Sequence, residues 1–208
     1  MGLDMRREPG PDQWDLGRYL NVLHETDRHL ARLFDAIRRA GLDEHTLIVV
    51  VGDHGQAFGY PHASYGQGQT GYEEDLHIPL MLWSPRLFEA ASRSATIGGQ
   101  VDIPPTIAAL TGLPAAPDWQ GRSLFANDRP PRAYFYVAED RFILGVRENS
   151  WKYLLDLREG LDELYDLDRD PAEQHNLATE DQQRAERLRQ RLAAWMAANS
   201  RDYERVAK

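Results

Sequence analysis

The 208-residue chain is acidic, with a formal net charge of −9, and its 42% hydrophobic and 27% charged residues are typical of a globular protein. No cluster of Lys and Arg stands out, so the composition argues against a nucleic-acid-binding surface. The absence of cysteine excludes disulfide bonds and thiol chemistry. No apolar run approaches the roughly 20 residues that cross a bilayer, and residues 1–7 lack the apolar core of a signal peptide.

A long amphipathic helix is the first predicted element. The apolar residues that recur at helical spacing are Leu16, Leu20, Leu23, Leu30, Phe34 and Ile37. This spacing predicts one buried face, and Gly41 is a suitable residue to end the helix. Asp27 lies on that face, where we expect a hydrogen-bonded acid rather than a site residue.

Residues 47–51 form an uninterrupted aliphatic run that follows the helix after a short loop. Such a run, bounded by turn residues, predicts a buried strand of a parallel sheet. The helix and this strand would then form half of a right-handed βαβ unit.

Two polar side chains, Asp53 and His54, come directly after this strand and are flanked by Gly52 and Gly55. Ligands of open α/β sheets bind beyond the carboxyl ends of the strands. A carboxylate beside an imidazole suits a divalent metal such as Zn²⁺ or Mn²⁺, and the glycines allow both side chains to turn toward one point. The alternative is a turn-capping Asp beside a surface His, and these four residues alone leave both interpretations open.

The remaining elements are predicted from similar local signals. Residues 78–83 form a second strand, and a short helix over 104–110 begins after Asp102 and ends at Gly112. Residues 113–128 form a connector rich in Pro, Asp and Gly. Short apolar segments then alternate with turn residues, which predicts an antiparallel meander over 133–138, 141–147, 151–157 and 163–167.

A closing helix is predicted over residues 180–198. Its expected buried residues are Leu188, Leu192, Trp195 and Met196. Its Arg, Glu and Gln face is expected to be solvated.

Several segments of the chain resemble, in order, the sulfatase-like branch of the alkaline phosphatase superfamily, which includes lipoteichoic-acid-synthase-like proteins. The segments are Gly52-Asp53-His54-Gly55, the stretch 72–80, and residues 101–106, 119–124, 151–153 and 163–171 with Asn176-Leu177. The resemblance extends from about Tyr19 onward. It implies an α/β fold: a partial alkaline-phosphatase-like α/β/α sandwich followed by a small antiparallel sheet with a C-terminal helix. It also implies two domains. Residues 1–130 would be the C-terminal part of the sulfatase-like α/β core and would carry half of the metal site. Residues 131–208 would form a small antiparallel β subdomain and the terminal helix.

The family's nucleophile has no counterpart in this chain. Sulfatases convert a Cys or Ser in a Cys/Ser-x-Pro-x-Arg motif to formylglycine, and Ser84-Pro85-Arg86 does not have that spacing. Phosphotransferase relatives use a Thr that also lies upstream. The resemblance therefore implies the C-terminal part of a longer enzyme whose missing N-terminal half is a partner. The localisation of that parent enzyme stays open, because a signal for export or membrane anchoring would lie upstream.

The resemblance assigns roles to four residues. Asp53 and His54 would bind a divalent metal ion, either Ca, Mg, Mn or Zn. His62 and Gln67 are the catalytic candidates, although relatives carry Lys or His near Gln67, and an amide brings neither charge nor an acid to the leaving oxygen.

Other polar residues of these segments have structural alternatives that we favour. The acids Glu73, Glu74 and Asp75 could bind a second metal, but we favour the interpretation that they belong to a helix start or a packing segment. For His77 a strand-entry hydrogen bond is the default, and Lys152 is expected to tie the small domain to the large one.

Three functions follow from the resemblance. The first is hydrolysis of sulfate esters by a metal-dependent sulfatase-like enzyme. The second is a phosphotransferase or phosphodiesterase acting on phosphoglycerol or phosphoethanolamine groups. The third is a truncated, inactive chain that serves only as a binding or structural partner. The identity of the upstream nucleophile would discriminate between the first two.

Overall fold

The computed structural model describes residues 16–138 and 141–206, which fall into two compact units. The first unit extends to Gln67 and also includes His77–Ala91, and the second consists of Gly68–Leu76 and the residues from Ser92 onward. The predicted division into residues 1–130 and 131–208 does not coincide with these two units, and it stays a prediction. Within the described ranges, no helix is both long and apolar enough to span a bilayer.

The described part of the first unit contains a long helix and two small sheets. Helix α1 spans Leu16–Arg39. Strand β1 (Ile48–Val51) pairs with β4 (Leu80–Trp83), and β2 (Ala57–Phe58) pairs with β3 (Tyr65–Gly66). The predicted end of α1 at Gly41 is confirmed, because this residue has a φ of +66° and the Leu42 N–H donates to the Ile37 carbonyl at 3.1 Å.

The prediction that the first strand belongs to a parallel sheet is wrong. Strand β1 pairs antiparallel with β4, with Val49 opposite Leu82, and no parallel partner of β1 occurs in the part of the chain that the structure describes. The strand is half-buried rather than buried, and Val51 is exposed. An aliphatic run indicates that both faces of a strand need cover, but it carries no information about the direction of the neighbouring strand.

The apolar face of α1 is covered along only part of its length. Leu30, Phe34 and Ile37 are half-buried, and the Phe34 ring lies 5.1 Å from the Trp83 ring of β4. The prediction of a continuously buried face is wrong for the N-terminal half of the helix. The apolar side chains exposed there are Leu16, Tyr19, Leu20, Val22 and Leu23.

The second unit contains the predicted meander. Strands β5 (Arg132–Ala138), β6 (Phe142–Glu148), β7 (Trp151–Asp156) and β8 (Leu161–Asp166) pair antiparallel in chain order. The described residues of this unit also form helices α2 (Glu73–Leu76), α3 (Ile103–Thr111) and α4 (Gln182–Val206). Gly112 ends α3 with a φ of +71°, as predicted.

Both faces of the meander are packed. On one face Val146, Tyr153 and Leu164 contact Leu188 and Leu192 of α4, and all five side chains are fully buried. On the other face Ile143, Leu154 and Tyr165 pack with Tyr72 of the segment 68–76. The register that gives each face its own apolar set follows from the alternation of side chains along a strand.

Candidate functional site

The best sequence candidates, Asp53 and His54, lie where β1 ends. The preceding Gly52 donates its N–H to the Pro79 carbonyl at 3.1 Å. A Cβ on Gly52 would lie 3.2 Å from Ile78 Cβ and from Pro79 Cδ. Gly52 therefore allows two chain segments to approach each other closely at the end of the strand, and this fixes where the Asp53-His54 turn begins.

Asp53 and His54 face each other. His54 Nε2 lies 3.5 Å from Asp53 Oδ2, and the His54 backbone N–H donates to Asp53 Oδ1 at 3.1 Å. His54 Nδ1 lies 2.7 Å from the Gly55 carbonyl oxygen, which can only accept a hydrogen bond. Nδ1 therefore carries the hydrogen, and in the neutral ring Nε2 keeps its lone pair on the side of the carboxylate.

This geometry fits a divalent metal ion. Two ligand atoms about 2.1 Å from a tetrahedral zinc lie roughly 3.4 Å apart, close to the separation of Nε2 and Oδ2. A backbone carbonyl that holds the other ring nitrogen is the usual support of a metal-binding histidine. The Asp53 and His54 side chains are 88% and 42% exposed, so an ion could reach both.

The pair is an incomplete metal site by itself. Among the described residues, no group of three or more His, Cys, Asp or Glu side chains is placed to hold an ion. A divalent ion takes four to six ligands or more, and Asp53 and His54 supply two of them. The assignment of both residues as metal ligands stays a prediction.

His62 and Gln67 belong to the hairpin that follows. His62 is half-buried in the β2–β3 connection, and Gln67 is exposed directly after β3. The hairpin is tight because Gly59 has a φ of +82° and any Cβ there would collide with the Tyr65 ring. The catalytic roles of His62 and Gln67 stay predictions.

The acids of segment 73–75 do not form a metal cluster. Asp75 is buried and accepts hydrogen bonds from the Thr70 N–H at 2.7 Å and the Thr70 hydroxyl at 2.8 Å. Glu73 makes ion pairs with Lys152 and Arg147 at 3.0 and 3.1 Å. These contacts favour the packing interpretation over a second metal site.

Lys152 belongs to a buried network of ion pairs. Its side chain is fully buried and pairs with Glu73 on one side and with Glu173 at 2.8 Å on the other. Glu173 also accepts the Glu73 backbone N–H at 2.6 Å. Burial raises the pKa of the Glu173 carboxyl, and the Lys152 charge acts against that rise. The sequence gives no local signal for Glu173, because its partners are 21 and 100 residues away.

The chain matches two family models. The model described as "Sulfatase" matches residues 7–113, and the model described as "N-sulphoglucosamine sulphohydrolase, C-terminal" matches residues 64–201.

Similar proteins carry related names. Arylsulfatase K from Bos taurus is 29% identical over an alignment of 180 positions, and the match covers 77% of this chain and 32% of that protein. N-acetylglucosamine-6-O-sulfatase from Bacteroides thetaiotaomicron is 29% identical over an alignment of 176 positions, and the match covers 76% of this chain and 31% of that protein. The chain therefore spans about a third of the length of these relatives.

Solved structures share the fold. A protein in complex with its substrate D-glucosamine-2-N,6-O-disulfate matches with a TM-score of 0.74 and 25% identity, over 89% of this chain and 40% of that chain. A phosphonate monoester hydrolase from Silicibacter pomeroyi matches with a TM-score of 0.66 and 21% identity, over 86% of this chain and 39% of that chain.

Proposed function

The chain belongs to the sulfatase family, and from that premise we propose that it carries part of the metal site of an enzyme that hydrolyses sulfate esters. The observation that carries the proposal is the Asp53–His54 pair, whose ligand atoms lie 3.5 Å apart at the end of β1. A carboxylate and an imidazole at this spacing suit one divalent ion.

The nucleophile and the remaining metal ligands are proposed to come from polypeptide outside these 208 residues. The chain covers about a third of each curated relative, and the described residues offer only two ligands at this position. The exposed apolar side chains at the N-terminal half of α1 support the same idea, because such a face is normally covered in a folded domain.

Within such an enzyme the residues of this chain have distinct tasks. Asp53 and His54 hold the metal ion, with the His54 ring fixed by the Gly55 carbonyl. When bound, the ion neutralises charge on the sulfuryl oxygens and polarises the nucleophile. Gln67 can donate a hydrogen bond to the leaving oxygen, whereas His62 can also donate a proton.

Sulfated sugars are the proposed substrate class. One relative is named as a sulfatase of N-acetylglucosamine, and a structural neighbour binds a disulfated glucosamine as its substrate.

Hydrolysis of phosphate or phosphonate esters is the second candidate. The observation in its favour is that a phosphonate monoester hydrolase shares the fold. The metal-binding pair suits either ester, because both transferred groups place negative charge on oxygen. A Thr nucleophile in the upstream polypeptide would favour this candidate over the sulfatase.

The test is a direct comparison of the two esters. The enzyme is expressed with the upstream part of its reading frame and assayed with 4-nitrophenyl sulfate and 4-nitrophenyl phosphate. We expect faster turnover of the sulfate, and turnover that needs a divalent metal. Faster turnover of the phosphate, or sulfate turnover that survives complete metal removal, would overturn the proposal. The 208-residue chain alone is expected to hydrolyse neither ester.

A further inference from the structure

One carboxylate of the second unit is surrounded by three guanidinium groups. Glu148, at the end of β6, lies 3.0 Å from Arg187, 3.0 Å from Arg191 and 4.0 Å from Arg132. Its side chain is only 11% exposed. Three positive charges against one negative charge leave this arginine cluster (Arg132, Arg187, Arg191) with a local net charge of +2, in a chain whose total is −9.

The cluster has more hydrogen-bond donors than the Glu148 carboxylate can satisfy. Each guanidinium carries five N–H donors, and the single Glu148 carboxylate offers about four acceptor positions. Within the described residues, the buried Nε–H of Arg191 has no hydrogen-bond partner. The side chains of Arg132, Arg187 and Arg191 are 26%, 50% and 29% exposed, so a ligand can reach them.

Two elements hold the guanidiniums together. Arg132 begins β5 directly opposite Glu148 in the strand register. Arg187 and Arg191 lie four residues apart on α4 and therefore project from the same side of the helix. The adjacent Arg184 does not belong to the cluster, because it is paired with Asp181 at 2.8 Å and stacked over the Trp151 ring at 3.8 Å.

We propose that the arginine cluster binds sulfate groups of a sulfated oligosaccharide, in addition to the contacts made at the reacting ester. This inference rests on the proposed substrate class. Guanidinium groups bind tetrahedral oxyanions through paired N–H donors, and partial burial strengthens the attraction relative to a fully solvated site. A short oligosaccharide with a few sulfates suits a local charge of +2. A long polyanion such as DNA would extend beyond the cluster and be repelled by the rest of the protein, which is acidic.

The first experiment measures binding to the intact 208-residue chain by isothermal titration calorimetry at low salt. The probe is a dextran sulfate oligosaccharide, with unsulfated dextran of the same length and a short DNA strand of the same charge as comparisons. We expect binding of the sulfated glycan alone, weakened by added salt. DNA that binds as tightly, and loses its binding in the same variants, would overturn the assignment to sulfated glycans.

Substitutions then locate the site. Arg187→Gln combined with Arg191→Gln should weaken binding at least about tenfold, because two charge-assisted hydrogen-bonding groups are lost. The matched control, Arg28→Gln with Arg32→Gln on α1, changes the net charge equally and should alter affinity less than about twofold. Equal losses in both pairs would show an effect of overall charge and overturn the proposal.

A second variant, which should strengthen binding rather than weaken it, keeps the test decisive if the double arginine substitution impairs folding. Glu148→Gln removes the negative charge that competes for the guanidiniums, so dextran sulfate should bind several-fold more tightly. The control Glu25→Gln removes an acid that pairs with Arg28 elsewhere and should have little effect. Unchanged or weaker binding in Glu148→Gln would mean that the cluster is structural only. The titration contains no divalent metal and measures no ester hydrolysis, which separates this inference from the proposed catalytic function.

Discussion

The Nζ atom of Lys152 lies 2.8 Å from Oε1 of Glu173, and both side chains are completely buried. Because Glu73 contacts the same ammonium group at 3.0 Å, this ion pair fastens the segment 68–76 to the meander within the second unit. A buried ammonium group left without its partners is strongly unfavourable. The network therefore keeps the fully buried Lys152 and Glu173 charges paired, with the partly exposed Glu73 as the third member.

The first prediction concerns this network. Glu173→Ala should lower the free energy of unfolding by about 3–5 kcal/mol, because it leaves the Lys152 charge buried with one partner fewer. Denaturant titration followed by tryptophan fluorescence measures the loss. The control Glu159→Ala removes an exposed acid of the β7–β8 turn and should stay within about 0.5 kcal/mol of the wild type. A loss below about 1 kcal/mol for Glu173→Ala would contradict the assigned role.

The second prediction is a pH dependence of stability. The Arg141 Nε–H donates to Asp156 Oδ2 at 2.8 Å, and this hydrogen bond holds the pKa of Asp156 below its ordinary 3.8 while burial acts against it. A carboxylate with a lowered pKa in the folded state stabilises the fold above its unfolded-state pKa. That stability disappears as the pH falls through the folded-state value.

Asp156→Asn should therefore cost most at pH 7, and its difference from the wild type should shrink as the pH is lowered through 3.8. Denaturant unfolding at several pH values between about 3 and 7 measures this. The control Asp168→Asn changes an exposed acid and should show a small difference at every pH. A difference between Asp156→Asn and the wild type that grows toward low pH would mean that the sign is wrong.

The sequence predicted the meander, α3 and α4 because their signals are local. Alternating side chains define each strand, turn residues such as Asn149 separate them, and helical spacing places Leu188 and Leu192 on one face of α4. The contact between Asp53 and His54 is also local, since the two residues are adjacent and follow the end of a strand.

Features that depend on distant residues could not be predicted in the same way. Strand β1 pairs with residues that are far away in the sequence. Ile48 lies opposite Trp83, 35 residues away, and Val51 lies opposite Leu80, 29 residues away. Nothing in the aliphatic run of β1 specifies that direction. Likewise, the role of Glu173 depends on Lys152 and Glu73, which lie in separate elements.

The third prediction concerns a glycine in the sheet. Gly145 of β6 lies directly opposite Phe135 of β5, and a Cβ at Gly145 would collide with the Phe135 ring. Gly145→Ala should destabilise the protein by about 1–3 kcal/mol, because the ring must leave its position or the strands must separate. Thermal unfolding measures the effect. The control Gly99→Ala adds a Cβ whose nearest neighbour is 4.0 Å away, so an equal loss there would contradict the steric explanation.

The fourth prediction is self-association of the 208-residue chain. Leu20 and Leu23 are 54% and 44% exposed on the apolar face of α1, and a contiguous exposed apolar surface favours association. Light scattering should show a mass above that of a monomer, and Leu20→Gln with Leu23→Gln should lower it. The control Leu157→Gln with Leu161→Gln replaces two exposed leucines, one directly after β7 and one at the start of β8, and should leave the mass unchanged. A monodisperse wild-type monomer would contradict the prediction.

The last prediction tests the metal-binding pair. Asp53 and His54 supply two ligands 3.5 Å apart, and water must complete the coordination in the 208-residue chain, so its affinity for Zn²⁺ or Mn²⁺ should be weak. In the enzyme expressed with its upstream polypeptide, further preorganised ligands should raise that affinity. Removal of either side chain then leaves only one of the two ligands that this chain provides to the ion.

Asp53→Ala and His54→Ala should therefore lose metal and sulfate-ester hydrolysis together in the longer enzyme. His45→Ala is the matched control: His45 is exposed in the short 3-10 helix Asp43–His45 before β1, and this variant should retain both metal and activity. Inductively coupled plasma mass spectrometry measures the metal content independently of activity. Full metal content in both the Asp53→Ala and His54→Ala proteins would show that these residues are not ligands. Loss of metal in His45→Ala to the same extent would show that the effect comes from damage to the fold.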